Sequence, residues 1–390
     1  MDITKIQEYL VEHELDGWLL SDFHGRNQIA VELLGLSGIV TRRSFYFIPS
    51  DDTPTILVNT IEKSKYASVP GQVITFSAYS ILEQELSRVL SGRKKIAMEY
   101  SPSGRLPYIG LVDAGTVELV RSFGIEIVSS ADLVASFQAR LSVEQVASHR
   151  IAAHNVIEIK NLTFQHIAQS LKNKKQITEF DVCLFIKDQF EQYDMTTADG
   201  PICAVNANAG NPHYEPTIET AAPLQKGQLV LLDLWAKLKT PNAVYGDITW
   251  MAFAGTASEI PEEYSRTFSV VAAARDKAVA FLRENVERRP VHGYEIDDVC
   301  RGVIRSAGMG EFFTHRTGHS ITSSVHGPGP NIDNLETEDR RRLQKGHLFS
   351  IEPGVYTSDF GIRSEIDVLI GHEGCEVTTL PTQTEITPLF

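Results

Sequence analysis

The segment Leu224-Gln225-Lys226-Gly227-Gln228-Leu229 returns as Leu343-Gln344-Lys345-Gly346-His347-Leu348, and the same displacement carries Asp233 onto Glu352. Each copy reads as a glycine-containing turn, an apolar strand and a carboxylate. A further chain reversal and a second acid follow, Asp247 after the first copy and Glu365 after the second. If two such hairpins pack symmetrically, four acids gather around a local two-fold axis. The runs before the first acids, Val230-Leu231-Leu232 and Leu348-Phe349-Ser350-Ile351, are those of buried strands. Carboxylates buried together cannot all ionise unaided, so they take up protons or bind cations. One divalent ion leaves charge uncompensated, whereas two, bridged by carboxylates, balance four anionic ligands. A short repeated turn can arise by chance and exposed acids on strands commonly do nothing. The buried character of the two strands is what favours a metal centre.

Thr317-Gly318-His319 and Val325-His326 lie on a segment that also holds Gly327 and Gly329, which suits a loop and strand bordering a pocket. A lone histidine is usually structural. Here an imidazole suits a divalent transition metal among carboxylates, and His319 completes a set of five with Asp233, Asp247, Glu352 and Glu365. His213, in the irregular stretch Asn211-Pro212-His213-Tyr214-Glu215-Pro216, is a further candidate.

A chain of 390 residues exceeds the roughly 100–200 residues of a usual domain. Two domains are expected, residues 1–140 and 141–390. The first half alternates helices and strands, with a helix near 3–14, apolar runs at Gly17–Leu20, Ser44–Ile48, Thr55–Val58 and Lys95–Met98, and a hairpin at Pro49–Pro54. It reads as a small α/β domain without a catalytic cluster. At the boundary, Ser142 and Gln145 form a capping box for a long helix. Ala152, Val156, Ile159, Ile167 and Leu171 share one face of that helix, and Lys160 and Gln169 point elsewhere. A second helix starts after Thr178, a third runs from Pro261 to about Val286, and another near 295–306 stops at Gly308. Leu229–Leu232, Ile248–Ala252, Leu348–Ile351 and Ile366–Ile370 are the clearest strands of the second half.

The formal net charge of −14 repels phosphate backbones, and Arg340, Arg341 and Arg342 are one short cluster, so nucleic acid is not an expected partner. Neither a signal peptide nor an 18-residue apolar run is visible, which points to a cytoplasmic protein without a membrane span. Cys183, Cys203, Cys300 and Cys375 lack paired spacing and read as reduced, buried thiols. Asn161-Leu162-Thr163 matches a glycosylation acceptor but falls within the long helix.

Asn211-Pro212-His213-Tyr214, Leu232-Asp233-Leu234, Gly246-Asp247-Ile248-Thr249, Thr317-Gly318-His319, Ile351-Glu352-Pro353-Gly354 and Gly361-Ile362-Arg363-Ser364-Glu365 occur in this order over residues 145–390. In that order the chain resembles the M24 metallopeptidases of pita-bread fold, particularly Xaa-Pro aminopeptidases and Xaa-Pro dipeptidases (prolidases). The resemblance implies an α/β (α+β) chain, with a small creatinase/prolidase-type N-terminal α/β domain before a pita-bread catalytic domain of pseudo-two-fold symmetry. It implies that Asp233 chelates one ion, that His319 and Glu352 bind the other, and that Asp247 and Glu365 bridge both. His213, His315 and His326 match positions bordering the scissile bond. Arg363 and Tyr356 match positions behind the ligands or in the substrate pocket.

The expected reaction is hydrolysis of the bond between an N-terminal residue and a following proline by a metal-bridging water. Glu352 is expected as general base and proton shuttle, with His326 and His213 hydrogen-bonding the carbonyl and the tetrahedral species. Oxygen-rich ligation with one imidazole favours Mn²⁺ or Co²⁺, with Zn²⁺ or Fe²⁺ possible, and Mn²⁺ is the expectation. The proline preference and a homodimeric state come from resemblance alone. A metal-free creatinase-like C–N hydrolase or a non-catalytic peptide- or protein-binding module of the same fold are the alternatives, and either should have lost ligands. Three features depart from the family. Asp233 and Asp247 are more widely spaced, with a longer turn at Lys239-Thr240-Pro241-Asn242. Ser320 replaces a frequent glycine, and Gly327 follows His326 where a glutamate is common.

Overall fold

The computed structural model describes residues 2–38 and 40–390 and divides into two compact units, Met1–Gln138 and Ala139–Phe390. The first unit runs α1 (Ile3–Glu12), β1 (Gly17–Asp22), α2 (Gln28–Leu34), β2 (Ser44–Pro49), β3 (Thr55–Asn59), β4 (Gln72–Phe76), α3 (Tyr79–Val89), β5 (Lys95–Met98), α4 (Ala114–Ser122), β6 (Glu126–Ser129) and α5 (Ala131–Gln138). Its six strands lie in the order β4-β3-β2-β1-β5-β6. β2 pairs antiparallel with both β1 and β3, so the reversal at Pro49–Pro54 is a hairpin. The remaining pairs are parallel. β1 and β2 are buried along their whole length, because apolar clusters cover both sheet faces.

The second unit opens with α6 (Val143–Lys172), where Ser142 and Gln145 cap one another as their spacing predicts. α7 (Glu179–Gln192) begins with the same device from Thr178 and Asp181. Then come β7 (Met195–Thr196), β8 (Ile202–Val205), β9 (Leu229–Leu238), β10 (Gly246–Phe253), α8 (Glu262–Asn285), α9 (Gly293–Ser306), β11 (Leu348–Ile351), β12 (Gly354–Tyr356), β13 (Gly361–Arg363), β14 (Ile366–Gly371), β15 (Gly374–Val377) and β16 (Thr387–Pro388). β9 pairs with β7, β8 and β10, and β14 lies between β11 and β15.

Ala152, Val156, Ile159 and Ile167 of α6 are buried, as the periodicity requires, but Lys160 does not point away. It is 4% exposed, with Nζ 3.5 Å from the ring centroid of Trp250 on β10 and 2.7 Å from Asn161 Oδ1. Its aliphatic stem packs inward while the aromatic face and the amide replace water around the ammonium, and burial lowers its pKa to about 8. The helical pattern marked the right face but could not anticipate a tryptophan from a distant strand.

The repeated turns are structurally alike. Gly227 and Gly346 both take left-handed backbone, φ +84° and +90°, which glycine adopts without steric cost. The return strands are not equivalent. Asp233 lies opposite Thr249 on the β9–β10 ladder, with Asp247 opposite Trp235. On the other side Ile351 lies opposite Ile366, so Glu352 and Glu365 stand one step beyond the ladder. The echo therefore holds through the first acid of each copy and slips at the second.

The four cysteines are free thiols, three buried and Cys375 half-buried. No helix among the described residues is long and apolar enough to cross a membrane.

Candidate metal centre

Side chains two apart on a strand share a face. On β9, Val230, Leu232, Leu234 and Ala236 turn toward α6 and α7, leaving Leu231 and Asp233 on the opposite face. On β10, Ile248, Trp250 and Ala252 do the same, leaving Asp247, Thr249 and Met251. Asp233 and Asp247 are thus carried on strands whose other face is core. Glu352 follows β11, Glu365 precedes β14, and His319 is held between β-bridges Gly318↔Ile332 and Ser320↔Phe349. Its N–H donates to Ser350 Oγ at 3.0 Å, and Ser350 lies 3.3 Å from Glu352 Oε1.

These elements bring potential ligand atoms of Asp247, His319 and Glu365 within 4.8 Å of one another. His319 Nε2 is 3.5 Å from Glu352 Oε1 and 3.7 Å from Asp247 Oδ2. Glu365 Oε2 accepts from Thr249 Oγ1 at 2.7 Å. Asp233, an acid at the end of a buried run and so in need of a partner, accepts from Arg363 Nη2. The guanidinium also donates to Thr249 Oγ1 at 2.9 Å and to Tyr356 Oη at 3.2 Å. A cation that cannot be deprotonated thus fixes one acid, and the cluster is one charge less anionic than four free carboxylates.

A fifth acid offsets that gain. Asp367 is fully buried, and its Oδ2 accepts the Asp247 N–H at 2.9 Å. Asp247 Oδ1 and Asp367 Oδ1 are both buried without a hydrogen-bond partner. Burial, then the charges of Glu365, Asp233, Asp367 and Glu352, hold the Asp247 carboxyl well above the usual range. Glu365 is raised by burial and by Glu352 and Asp233. Burial also raises Asp233, against the pull of Arg363. Glu352 is lifted to about 7 by burial, with Arg363 and Arg316 opposing. The imidazole of His319 is kept neutral by burial and by the nearby charges of His326 and Arg316. Neutral imidazole, several carboxylates and an orphaned Asp247 oxygen are the donor set that a hard or borderline divalent ion satisfies.

The other expected residues surround this centre. The ring of His326 stands edge-on to His319, with centroids 4.4 Å apart at 84°. Its loop is pinned by Ser320, whose carbonyl accepts from Gly327 N–H at 2.6 Å and whose hydroxyl accepts from Gly329 N–H at 3.1 Å. His213 is exposed, and burial first, then Arg316 and His213 among the charges, lowers the pKa of His326. His315 donates from Nδ1 to the Arg316 carbonyl at 2.7 Å, which leaves Nε2 to accept from Tyr356 Oη at 2.7 Å. His315, Tyr356, Arg363 and Asp233 therefore form one hydrogen-bonded line. Burial lowers the His315 pKa to about 3, so the ring stays neutral.

Sequence reasoning missed Asp367, Thr249 and Arg316. Thr249 was within reach, since it lies two residues from Asp247 on β10 and so shares its face, and Asp367 follows Glu365 by two on the strand that begins between them. Arg316 had no such signal.

Residues 152–372 match metallopeptidase family M24. The chain belongs to that family. It is 28% identical over 380 residues to a Xaa-Pro dipeptidase of Lactobacillus delbrueckii subsp. lactis, covering 94% of this chain and 93% of the relative. A dipeptidase, PepE, from Mycobacterium ulcerans superposes with a TM-score of 0.74 at 19% identity, over 99% of this chain and 97% of that one. An X-prolyl aminopeptidase from Caenorhabditis elegans, described as a cytosolic enzyme with a di-nuclear active site, matches 98% of this chain and 63% of its own at 18% identity and a TM-score of 0.69. The likeness spans both units, and the fold is the mixed α/β pita-bread type of prolidases. As a member of this family the chain is a metallopeptidase.

Proposed function

We propose that this metallopeptidase cleaves the bond between an N-terminal residue and a following proline, using two divalent ions. The convergence of ligand atoms of Asp247, His319 and Glu365 within 4.8 Å, with one buried Asp247 oxygen left without a hydrogen-bond partner, carries the reading. Asp233 would hold one ion, His319 and Glu352 the other, and Asp247 and Glu365 both. Bound there, the ions supply Lewis acidity toward the peptide carbonyl and make water a usable nucleophile near neutral pH. Mn²⁺ fits the carboxylate-rich donor set best.

Glu352 has the chemistry of a proton shuttle. Its side chain is 14% exposed, against 4–5% for Asp247 and His319, so it faces the side from which a substrate arrives. From that position its carboxylate can take a proton from the attacking water and return it to the departing proline nitrogen. His326 and His213 supply N–H donors to the carbonyl oxygen, where negative charge develops. Arg363 fixes the carboxylate of Asp233, and Tyr356 and His315 fix Arg363, so this line forms the wall of the substrate pocket. The first unit is read as the creatinase/prolidase-type N-terminal domain, and the protein as a cytoplasmic homodimer. A metal-free C–N hydrolase and a binding module both require lost ligands, and all five are present.

The test is hydrolysis of Xaa-Pro dipeptides, longer Xaa-Pro peptides and Xaa-Ala controls by chelator-stripped protein reloaded with Mn²⁺, Co²⁺ or Zn²⁺. Cleavage should return with metal and favour proline. Inactivity with every metal, or equal cleavage of the alanine controls, would sink the reading.

A further inference from the structure

Between β8 and the bridge that pairs Thr178 with Pro223, the chain makes an excursion over residues 206–221 that carries His213. Half of its residues are exposed and only Ala209 is fully buried, so it has little apolar surface with which to place itself. It is placed by Glu179, the first residue of α7, which is fully buried. Oε1 of Glu179 accepts the Val205 N–H at 2.7 Å, and Oε2 accepts the Ala222 N–H at 2.7 Å. Nδ2 of Asn208 lies 3.0 Å from each oxygen, and Tyr214 Oη donates to Oε2 at 2.5 Å. One carboxylate therefore grips both ends of the excursion and two points inside it, and Tyr214 is the direct neighbour of His213. Hydrogen bonds to an ionised acceptor are roughly twice as strong as neutral ones and are directional, so they fix position as well as hold it.

The foot of the excursion, a 3-10 turn at Asn206–Gly210, rests on the wall of the metal centre. A Cβ at Gly361 would lie 1.7 Å from the Ala209 carbonyl oxygen, so backbone meets backbone where β13 begins. That strand ends in Arg363.

We propose that Glu179 is a positioning residue for the reaction, holding the 206–221 excursion so that His213 meets the substrate carbonyl. The inference rests on the role given to His213 above. Glu179 touches no substrate and no metal ligand, and it acts through Tyr214 and the loop ends. An amide in its place presents hydrogens to one pair of donors, so Glu179→Gln should let the excursion drift while leaving the ligand strands in place.

The test compares wild type, Glu179→Gln, Tyr214→Phe and His213→Ala, with each of the first two substitutions also made in the His213→Ala background. Glu179→Gln should lower kcat by about 10- to 100-fold with KM changed less than about threefold, and Tyr214→Phe should shift kcat the same way by less. Metal content should stay at the wild-type level, and hydrogen exchange should quicken within 206–222. In the His213→Ala background either substitution should cost less than about threefold, because the group it positions is already gone. Full additivity in that background overturns the proposal while leaving the role of His213 intact. A silent His213→Ala overturns both. If Glu179→Gln does not fold, the Tyr214→Phe cycle decides the matter by the same criterion.

Discussion

His149 offers a test of the fold that is independent of bound metal. It is fully buried on α6, with Nδ1 2.7 Å from the Tyr245 carbonyl and Nε2 2.7 Å from Thr378 Oγ1. A carbonyl only accepts, so Nδ1 carries the proton and Nε2 receives the threonine hydroxyl. The ring thus ties α6 to the residue before Gly246-Asp247 and to the segment after β15. Burial lowers its pKa from 6.5 to about 4. The sign follows directly. Above pH 6.5 the ring is neutral in both states and its contribution is complete. Between 6.5 and 4 the unfolded chain takes up a proton that the folded protein refuses, so stability falls with falling pH by about 1.4 kcal/mol per pH unit. The loss saturates near pH 4 at about 3 kcal/mol. In His149→Asn the amide can still donate to Tyr245 but does not titrate, and the lost contact and ring volume cost about 1–3 kcal/mol at neutral pH. Thermal unfolding of both proteins in chelator, followed from pH 7.5 to 4, gives the difference directly, since every other titrating group is common to the two. The variant should begin several degrees less stable and close the gap by roughly 5–10 °C toward pH 4. Parallel curves would refute the assignment of a neutral, buried imidazole.

Asp247→Asn should lose bound metal and activity together, read by elemental analysis and peptide hydrolysis on the same sample; retention of both would remove Asp247 from the centre. Metal affinity should rise with pH, because ions bind the deprotonated acids and Glu352 holds its proton to about 7. Glu352 alone contributes roughly tenfold between pH 6 and pH 8, and Asp247 and Glu365, raised further, steepen the rise. Titration of Mn²⁺ into stripped protein measures this, and a pH-independent affinity contradicts it. Arg363→Lys should leave the protein folded and weaken metal binding or activity by about 10–100-fold, because a lysine cannot serve Asp233, Thr249 and Tyr356 in one plane. Unchanged metal content and rate would make the line from His315 to Asp233 incidental.

Much of this protein is readable from local pattern. Apolar runs located β9, β10, β11 and β14, the capping boxes at Ser142 and Thr178 located two helix starts, and Gly227 and Gly346 marked the turns that begin each copy of the repeat. Those signals depend on residues within a few positions of one another, which is the range over which hydrogen bonding and side-chain period act. The acids that follow buried strands were legible for the same reason, since a carboxylate in such a place needs a partner.

Which partner each found was decided elsewhere. Arg363 reaches Asp233 across 130 positions, Lys160 meets the face of Trp250, and Asp367 accepts the backbone of Asp247 across 120. Packing between elements that share no ladder set those meetings. Asp233 lies opposite Thr249 instead of Asp247, so the repeat seen in the sequence breaks in space where the proposed ligand acids converge. The chain thus determined by itself that it would bury acids on paired strands. Only the packing of the strands within the second unit fixed which of them share a charge, a proton or an ion, because electrostatic coupling depends on distance in a low-dielectric interior and not on separation along the chain.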